Sequence, residues 1–132
     1  MDRLKLAKRL SNQRPSTLPA LQICLQINID DEASKSGFTA DEAVSAAIEI
    51  SQLPNLTLRG LMCIPQKRAT VAEQRLPFEN VAALLSTINQ QLPDGTPKLD
   101  TLSMGMSSDI EAAIAEGTTI VRIGTALFGP RQ

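Results

Sequence analysis

The stretch LSMGMSSDIEAAI, Leu102 to Ile114, and the run VRIGTALFG that begins at Val121, decide how this chain is read. In the first, an apolar strand-like run passes through Ser103, Met104, Gly105 and Met106 into a serine pair and then a helical pattern. A strand that ends in small residues and feeds a helix directs unpaired backbone N–H groups at one point, which is where anions bind. Gly105 leaves room for a ligand to approach the backbone, Ser107 or Ser108 caps the helix, and Ser103 adds a hydroxyl. The second run repeats the arrangement, with Gly124 and Thr125 at the next turn and Arg122 as the positive charge. Two adjacent loops after the last two strands are where a (β/α) barrel keeps its phosphate site. Taken singly, each piece reads as an ordinary glycine turn, a capping serine or a surface arginine, and Met104 and Met106 as core filler. The pairing carries the phosphate reading.

Working outward, the rest of the chain alternates strands and helices. RLKLAKRLSNQ, Arg3 to Gln13, is an amphipathic helix ended by Pro15 and Pro19. LQICLQINI, Leu21 to Ile29, alternates apolar with small or polar residues and reads as a strand, its second face bearing Gln26 and Asn28. Thr39 and Glu42 form a capping-box signature ahead of an apolar stripe of Ala43, Ala46, Ala47, Ile50 and Leu53, which Pro54 stops. LTLRGLMCI, Leu56 to Ile64, is the next strand, with Gly60 where a neighbour approaches closely. A helix over about residues 72–92 follows, its regular part starting near Pro77, since proline suits a first turn. LDTLSMG is a third strand. Ser108 with Glu111 forms a second capping box, Gly117 marks a helix end, TTIVRIG is a fourth strand and TALFG opens a final turn. Helices between strands imply parallel pairing through right-handed crossovers, hence an α/β fold of four βα units.

Composition narrows the function. With 132 residues the chain is one domain, and its net charge of −1 gives no footprint for nucleic acid or an anionic membrane. No apolar run is long enough to span a bilayer and the N-terminus lacks a signal-peptide core, which predicts a cytoplasmic protein. Cys24 and Cys63 lie in strand-like runs without metal or redox spacing and are expected to be buried thiols. His, Tyr and Trp are absent, which removes the usual general base near neutral pH and makes independent catalysis a weak reading. Lys35, in a loop of Ser and Gly, is expected to be solvated rather than reactive.

LQINIDDEASKSGF, LRGLMCIP and LSMGMSSDIEAAIAEGTTIVRIGTALFG together resemble, in order and across essentially the whole chain, the pyridoxal phosphate homeostasis proteins of the YggS/PROSC type. The resemblance implies a fold type III, alanine-racemase-like (β/α)8 TIM-type barrel, in which pyridoxal 5′-phosphate (PLP) is held as a Schiff base by a lysine on an early strand. It implies that Ser103, Gly105, Met106, Gly124 and Thr125 hold the cofactor phosphate, that Arg122 and Ile123 lie beside the ring, and that Met62 is near the pocket. The chain aligns with the C-terminal half of such proteins, so residues 1–132 are expected to be half of a barrel. The half with the lysine and the family's His-containing signature is not matched, and no lysine here corresponds to that lysine. The expectation is a non-enzymatic PLP-binding protein that takes the cofactor non-covalently, with self-association through exposed barrel edges. The rivals are a fragment of a fold type III racemase or decarboxylase, and a truncated chain that associates without binding cofactor.

Overall fold

A computed structural model describes residues 1–30 and 36–123. Its elements run α1 (Leu4–Gln13), β1 (Leu21–Gln26), α2 (Ala40–Ser51), β2 (Leu56–Met62), α3 (Val71–Gln91), β3 (Thr101–Met106), α4 (Ile110–Ala115) and β4 (Ile120–Arg122). The described strands form one parallel sheet in the order β1-β2-β3-β4, so α2, α3 and α4 are crossovers and every strand ends on the same side. The order agrees with the sequence reading, and a four-stranded parallel sheet with helices is consistent with part of a barrel.

The core lies between the sheet and its helices. Leu25, Ile27, Leu61, Phe78, Val81, Ile88 and Met104 are fully or almost fully buried, and each such side chain contributes about 1.5–3 kcal/mol relative to exposure. Strand β1 supplies this face through alternation. Strand β2 does not alternate cleanly, because its buried residues are Leu56, Leu58, Gly60 and Leu61, with Cys63 buried just past its end. The pairing resolves the mismatch: Ile23 faces Leu58 and Cys24 faces Gly60, so Arg59 is an extra residue in β2. This bulge reverses the side-chain parity and returns Leu61 and Cys63 to the helix-covered side. Immediately after it, Gly60 sits against β3 so closely that a Cβ would lie 1.7 Å from the Thr101 carbonyl oxygen. The close approach expected at Gly60 is therefore present, and its partner is backbone.

Strand β1 ends at Gln26 rather than Ile29 and β2 at Met62 rather than Ile64, and three element starts differ from the sequence reading for a structural reason. Helix α3 starts at Val71 rather than near Pro77, because Thr70 caps it by accepting the Glu73 N–H at 3.2 Å. Pro77 is thus inside the helix and buried; Glu73 forgoes a helical partner, while Phe78, Val81 and Ile88 anchor the surrounding turns. Strand β4 begins at Ile120 rather than Thr118; ahead of it the Thr118 and Thr119 hydroxyls bond the β3 backbone at Leu102 and Met104, beside one backbone bond from the Thr119 N–H to the Leu102 carbonyl at 2.9 Å. The third difference is at the start of α4 and belongs to the site. Gly117 follows α4 with φ +89°, the left-handed conformation expected of a residue past a helix end. The segment TALFG lies outside the described residues.

Both cysteines are free thiols. Burial raises the pKa of Cys24, and pushes that of Cys63 up to about 12, so neither is a ready nucleophile. Among the described residues no helix is long and apolar enough to cross a membrane, and no group of three or more His, Cys, Asp or Glu side chains is placed to hold a metal ion.

Candidate functional site

Parallel pairing puts the ends of β1, β2, β3 and β4 at one rim, and register sets which side chains stand together below it. Gln26 pairs with Met62, Met62 with Ser103 and Ser103 with Ile120, so these four form a row across the sheet. They alternate with the buried set of Leu25, Leu61 and Leu102, and so lie on the face away from the helices. Gln26, Met62 and Ser103 are half-buried and Ile120 is 49 % exposed, as expected of a sheet face that is open in this chain. At the β1 end, a cavity of about 300 Å³ is lined by Asp2, Gln26, Ile27, Asn28, Ser36 and Ile64. Gln26 at the end of β1 and Asn28 just past it therefore line a pocket, and Met62 stands beside Ser103.

The turn between β3 and α4 is built differently from its sequence signature. Gly105 is buried with φ +100°, and a Cβ on it would lie 2.6 Å from the Ala113 Cβ. The space left by its missing side chain is thus occupied by α4, and glycine is required by conformation and strand–helix packing rather than by an open approach for a ligand. Met106 is 41 % exposed, and its N–H donates to Asp109 Oδ1 at 2.7 Å. Asp109, not Ser107 or Ser108, is the N-cap of α4, and its carboxylate turns back to Met106 instead of capping the helix. The expected Ser108–Glu111 capping box is not formed, because the helix starts one residue later than that motif requires.

Arg122 is the most informative predicted residue. It pairs with Met106 across the β3–β4 ladder, yet its Nη2 reaches over to the Cys63 carbonyl at the end of β2, at 2.9 Å. Its Nε is buried and lacks a hydrogen-bond partner among the described residues. A buried guanidinium donor left in this state is costly unless an acceptor arrives. Ile123, half-buried, follows it; Gly124, Thr125 and Lys35 lie outside the described residues.

Charges gather around Cys63 from the β1 end, the β3–α4 turn and strand β4. After burial, its pKa responds to Arg122, which lowers it, and to Asp109 and Asp30, which raise it. Asp30 in turn pairs with Arg68, Oδ1 to Nη2 at 2.6 Å. The rim thus carries two arginines and two aspartates. Sequence reading did not single out Asp30, Arg68 or Asp109; an aspartate just past a strand and an arginine in a polar loop carry no local signature that separates them from solvated charges.

The sequence matches the family described as alanine racemase, N-terminal domain, over residues 1–132. It is 54 % identical over 132 residues to the pyridoxal phosphate homeostasis protein of Pseudomonas aeruginosa, covering 100 % of this chain and 54 % of that protein. The protein of the same name from Escherichia coli strain K12 is 50 % identical over 132 residues, with 100 % of this chain and 55 % of that protein covered. The chain therefore spans about half the length of the curated relatives it matches. Among solved structures it is similar to PipY of Synechococcus elongatus without PLP, at TM-score 0.87 and 35 % identity, covering 98 % of this chain and 59 % of PipY. It is also similar to PipY with PLP bound, at TM-score 0.83 and 34 % identity, covering 98 % and 58 %. An alanine racemase from Clostridium difficile 630 shares the fold at TM-score 0.68 and 20 % identity, over 99 % of this chain and 34 % of that one.

Proposed function

Because the chain belongs to the alanine racemase N-terminal domain family, we propose that it is the half of a PLP-binding barrel that carries the phosphate-end loops, and that it takes PLP non-covalently in intracellular cofactor homeostasis. The observation that carries this reading is the buried Nε of Arg122, which has no hydrogen-bond partner among the described residues, on the strand that pairs with Ser103 and Met106 of β3. An anionic or heteroaromatic acceptor completes that donor. The names of the homeostasis relatives and the PLP-bound PipY structure support the choice of PLP as the ligand.

In this reading Ser103, Met106, Gly124 and Thr125 hold the phosphate, with Arg122 and Ile123 beside the ring and Gly105 supporting the turn from behind. Met106 can offer its N–H once Asp109 releases it, so binding begins with exchange of one acceptor for another. Bound PLP supplies an electron-withdrawing ring and an aldehyde. This chain supplies neither a histidine nor a tyrosine to move protons around them, and no lysine matching the family's Schiff-base lysine. The relatives' naming as homeostasis proteins fits binding without turnover, and a cytoplasmic setting fits the same role. Self-association belongs to the reading as well. The outer edge of β1 is occupied near its end by the Met1 carbonyl, which accepts from Gln26, and by Phe38, which bonds Gln26 and Asn28. Free strand edges elsewhere invite pairing with further chain.

Thermal-shift titration of the chain with PLP, using pyridoxal as the phosphate-free control, tests the proposal. Expected are a rise in Tm with PLP only, loss of that rise in Arg122→Gln, and an unshifted visible spectrum of the ligand. A ligand at 100 times its Kd stabilises the native state by about 2.7 kcal/mol. No shift with PLP, or an equal shift with pyridoxal, overturns it.

A further inference from the structure

Away from Arg122, one network of side chains ties the rim together. Asp30, past the end of β1, is 11 % exposed and its partner Arg68, in the β2–α3 loop, is 25 % exposed. Both carboxylate oxygens are engaged there: Oδ1 accepts from Arg68 Nη2 at 2.6 Å and Oδ2 from the Gln66 N–H at 2.6 Å. Arg68 Nη1 also donates to the Gln66 carbonyl at 3.1 Å, closing the loop on itself. The Arg68 carbonyl then accepts from Gln74 Nε2 at 2.9 Å, and the same nitrogen reaches the Ser108 carbonyl in the β3–α4 turn at 3.4 Å. The path crosses from the β1 loop, through the β2–α3 loop and α3, to the turn that presents Met106.

Other ion pairs among the described residues differ: Arg75–Glu116 is withdrawn on one side only, at 50 % and 14 %. Lys8–Glu49 and Arg59–Asp100 are exposed on both sides, at 52 % and 49 % and at 38 % and 59 %, and pairs of that kind contribute little. A pair as withdrawn from water as Asp30–Arg68 loses hydration on both ions, and the Asp30 contacts to Arg68 Nη2 and the Gln66 N–H fix the two loops against each other. The segment it organises contributes nothing to the core, since residues 66–70 are exposed or half-buried.

We propose that Asp30, Arg68 and Gln74 form a clasp that sets the position of the β3–α4 turn, and are positioning residues for the ligand bound there. The consequence for affinity rests on the PLP reading above; the clasp itself does not. The test combines amide hydrogen exchange with PLP binding in the wild-type chain, D30N, R68A, Q74A and the charge-swapped double variant D30R/R68D. Expected is about tenfold faster exchange from Met106 to Asp109 in the three single variants, the size of losing one charge-assisted or buried hydrogen bond, with Val81 and Ile88 unchanged. PLP affinity falls by a similar factor, and D30R/R68D recovers much of both. Unchanged exchange at Met106 to Asp109 in R68A and Q74A overturns the clasp, as does a charge swap that restores nothing. If D30N fails to fold, Q74A decides, because Gln74 is a half-exposed helix residue outside the core. If the wild-type chain does not bind PLP, the functional reading fails while the exchange results still decide the clasp.

Discussion

Helices α2 and α4 both follow a hydroxyl residue with a glutamate three positions on, yet they start in opposite ways. At α2 the box is complete: Glu42 N–H donates to Thr39 Oγ1 at 3.3 Å, and Thr39 N–H to Glu42 Oε1 at 3.2 Å. At α4 the hydroxyl of Ser108 is bypassed, Asp109 becomes the N-cap, and its carboxylate serves Met106. The difference lies in what precedes each helix. Thr39 follows the short bridge of Phe38 to Ile27, where the chain is free to adopt the extended cap conformation, φ −69° and ψ 161°. Ser108 follows Gly105, which must turn at positive φ so that Ala113 can pack behind it, and this moves the helix start to Ile110. Packing chose the cap at α4; local chemistry chose it at α2.

The sharpest way to break this comparison is at Gly105. Valine there meets both the positive φ and the 2.6 Å approach to Ala113, and about 3–5 kcal/mol of stability should be lost, read from urea unfolding. This variant acts on the fold before it acts on any ligand. Pairing Gly105→Ala with Ala113→Gly separates the two costs: the double variant should recover the contact part and retain the φ part. Additive losses would mean that Ala113 is not what holds the turn.

Next in size is Asp109→Ala, which strands the Met106 N–H and should cost about 1–2 kcal/mol in the same measurement. The paired test of the hydroxyls follows. Thr39→Ala should cost about 1 kcal/mol, whereas Ser108→Ala should stay within about 0.5 kcal/mol. Equal losses would erase the distinction between the two helix starts.

The smallest effect is one of pH. Hydrogen bonds from the Thr39 side chain and backbone hold the Glu42 carboxyl below its ordinary range. A carboxylate with a depressed folded pKa contributes stability above its unfolded value, near about 4.3, and loses it as pH falls through the folded value. The Tm gap between wild type and Glu42→Gln should therefore be full at neutral pH and narrow on acidification below that point. A gap independent of pH would show that the ionised carboxylate is not part of the cap.

The order of strands and helices, the α2 cap, the left-handed Gly117 and the close approach at Gly60 were all legible in the chain, because each depends on residues near one another or on a single periodicity. Ser103 and Arg122 were named from the residues and stand on or beside the open sheet face, as strand alternation predicts, whereas Met62 was implied by the family resemblance and reaches that face only through the bulge at Arg59. The family resemblance implied that the loops after β3 and β4 hold a phosphate, and the fold puts Met106 and Arg122 at adjacent strand ends.

What needed the folded chain were features in which distant residues compete for the same space or the same hydrogen bond. The bulge at Arg59 arises because β1 and β3 fix the register on either side of β2. Gly105 is glycine because α4 presses on it, which no reading of SMGMS reveals. Asp109 takes the cap because the turn leaves Ser108 a residue early, and Asp30 meets Arg68 across 38 residues only when two loops share a rim. Local sequence determines conformations whose energies are local; tertiary packing decides which of two chemically adequate partners is within reach.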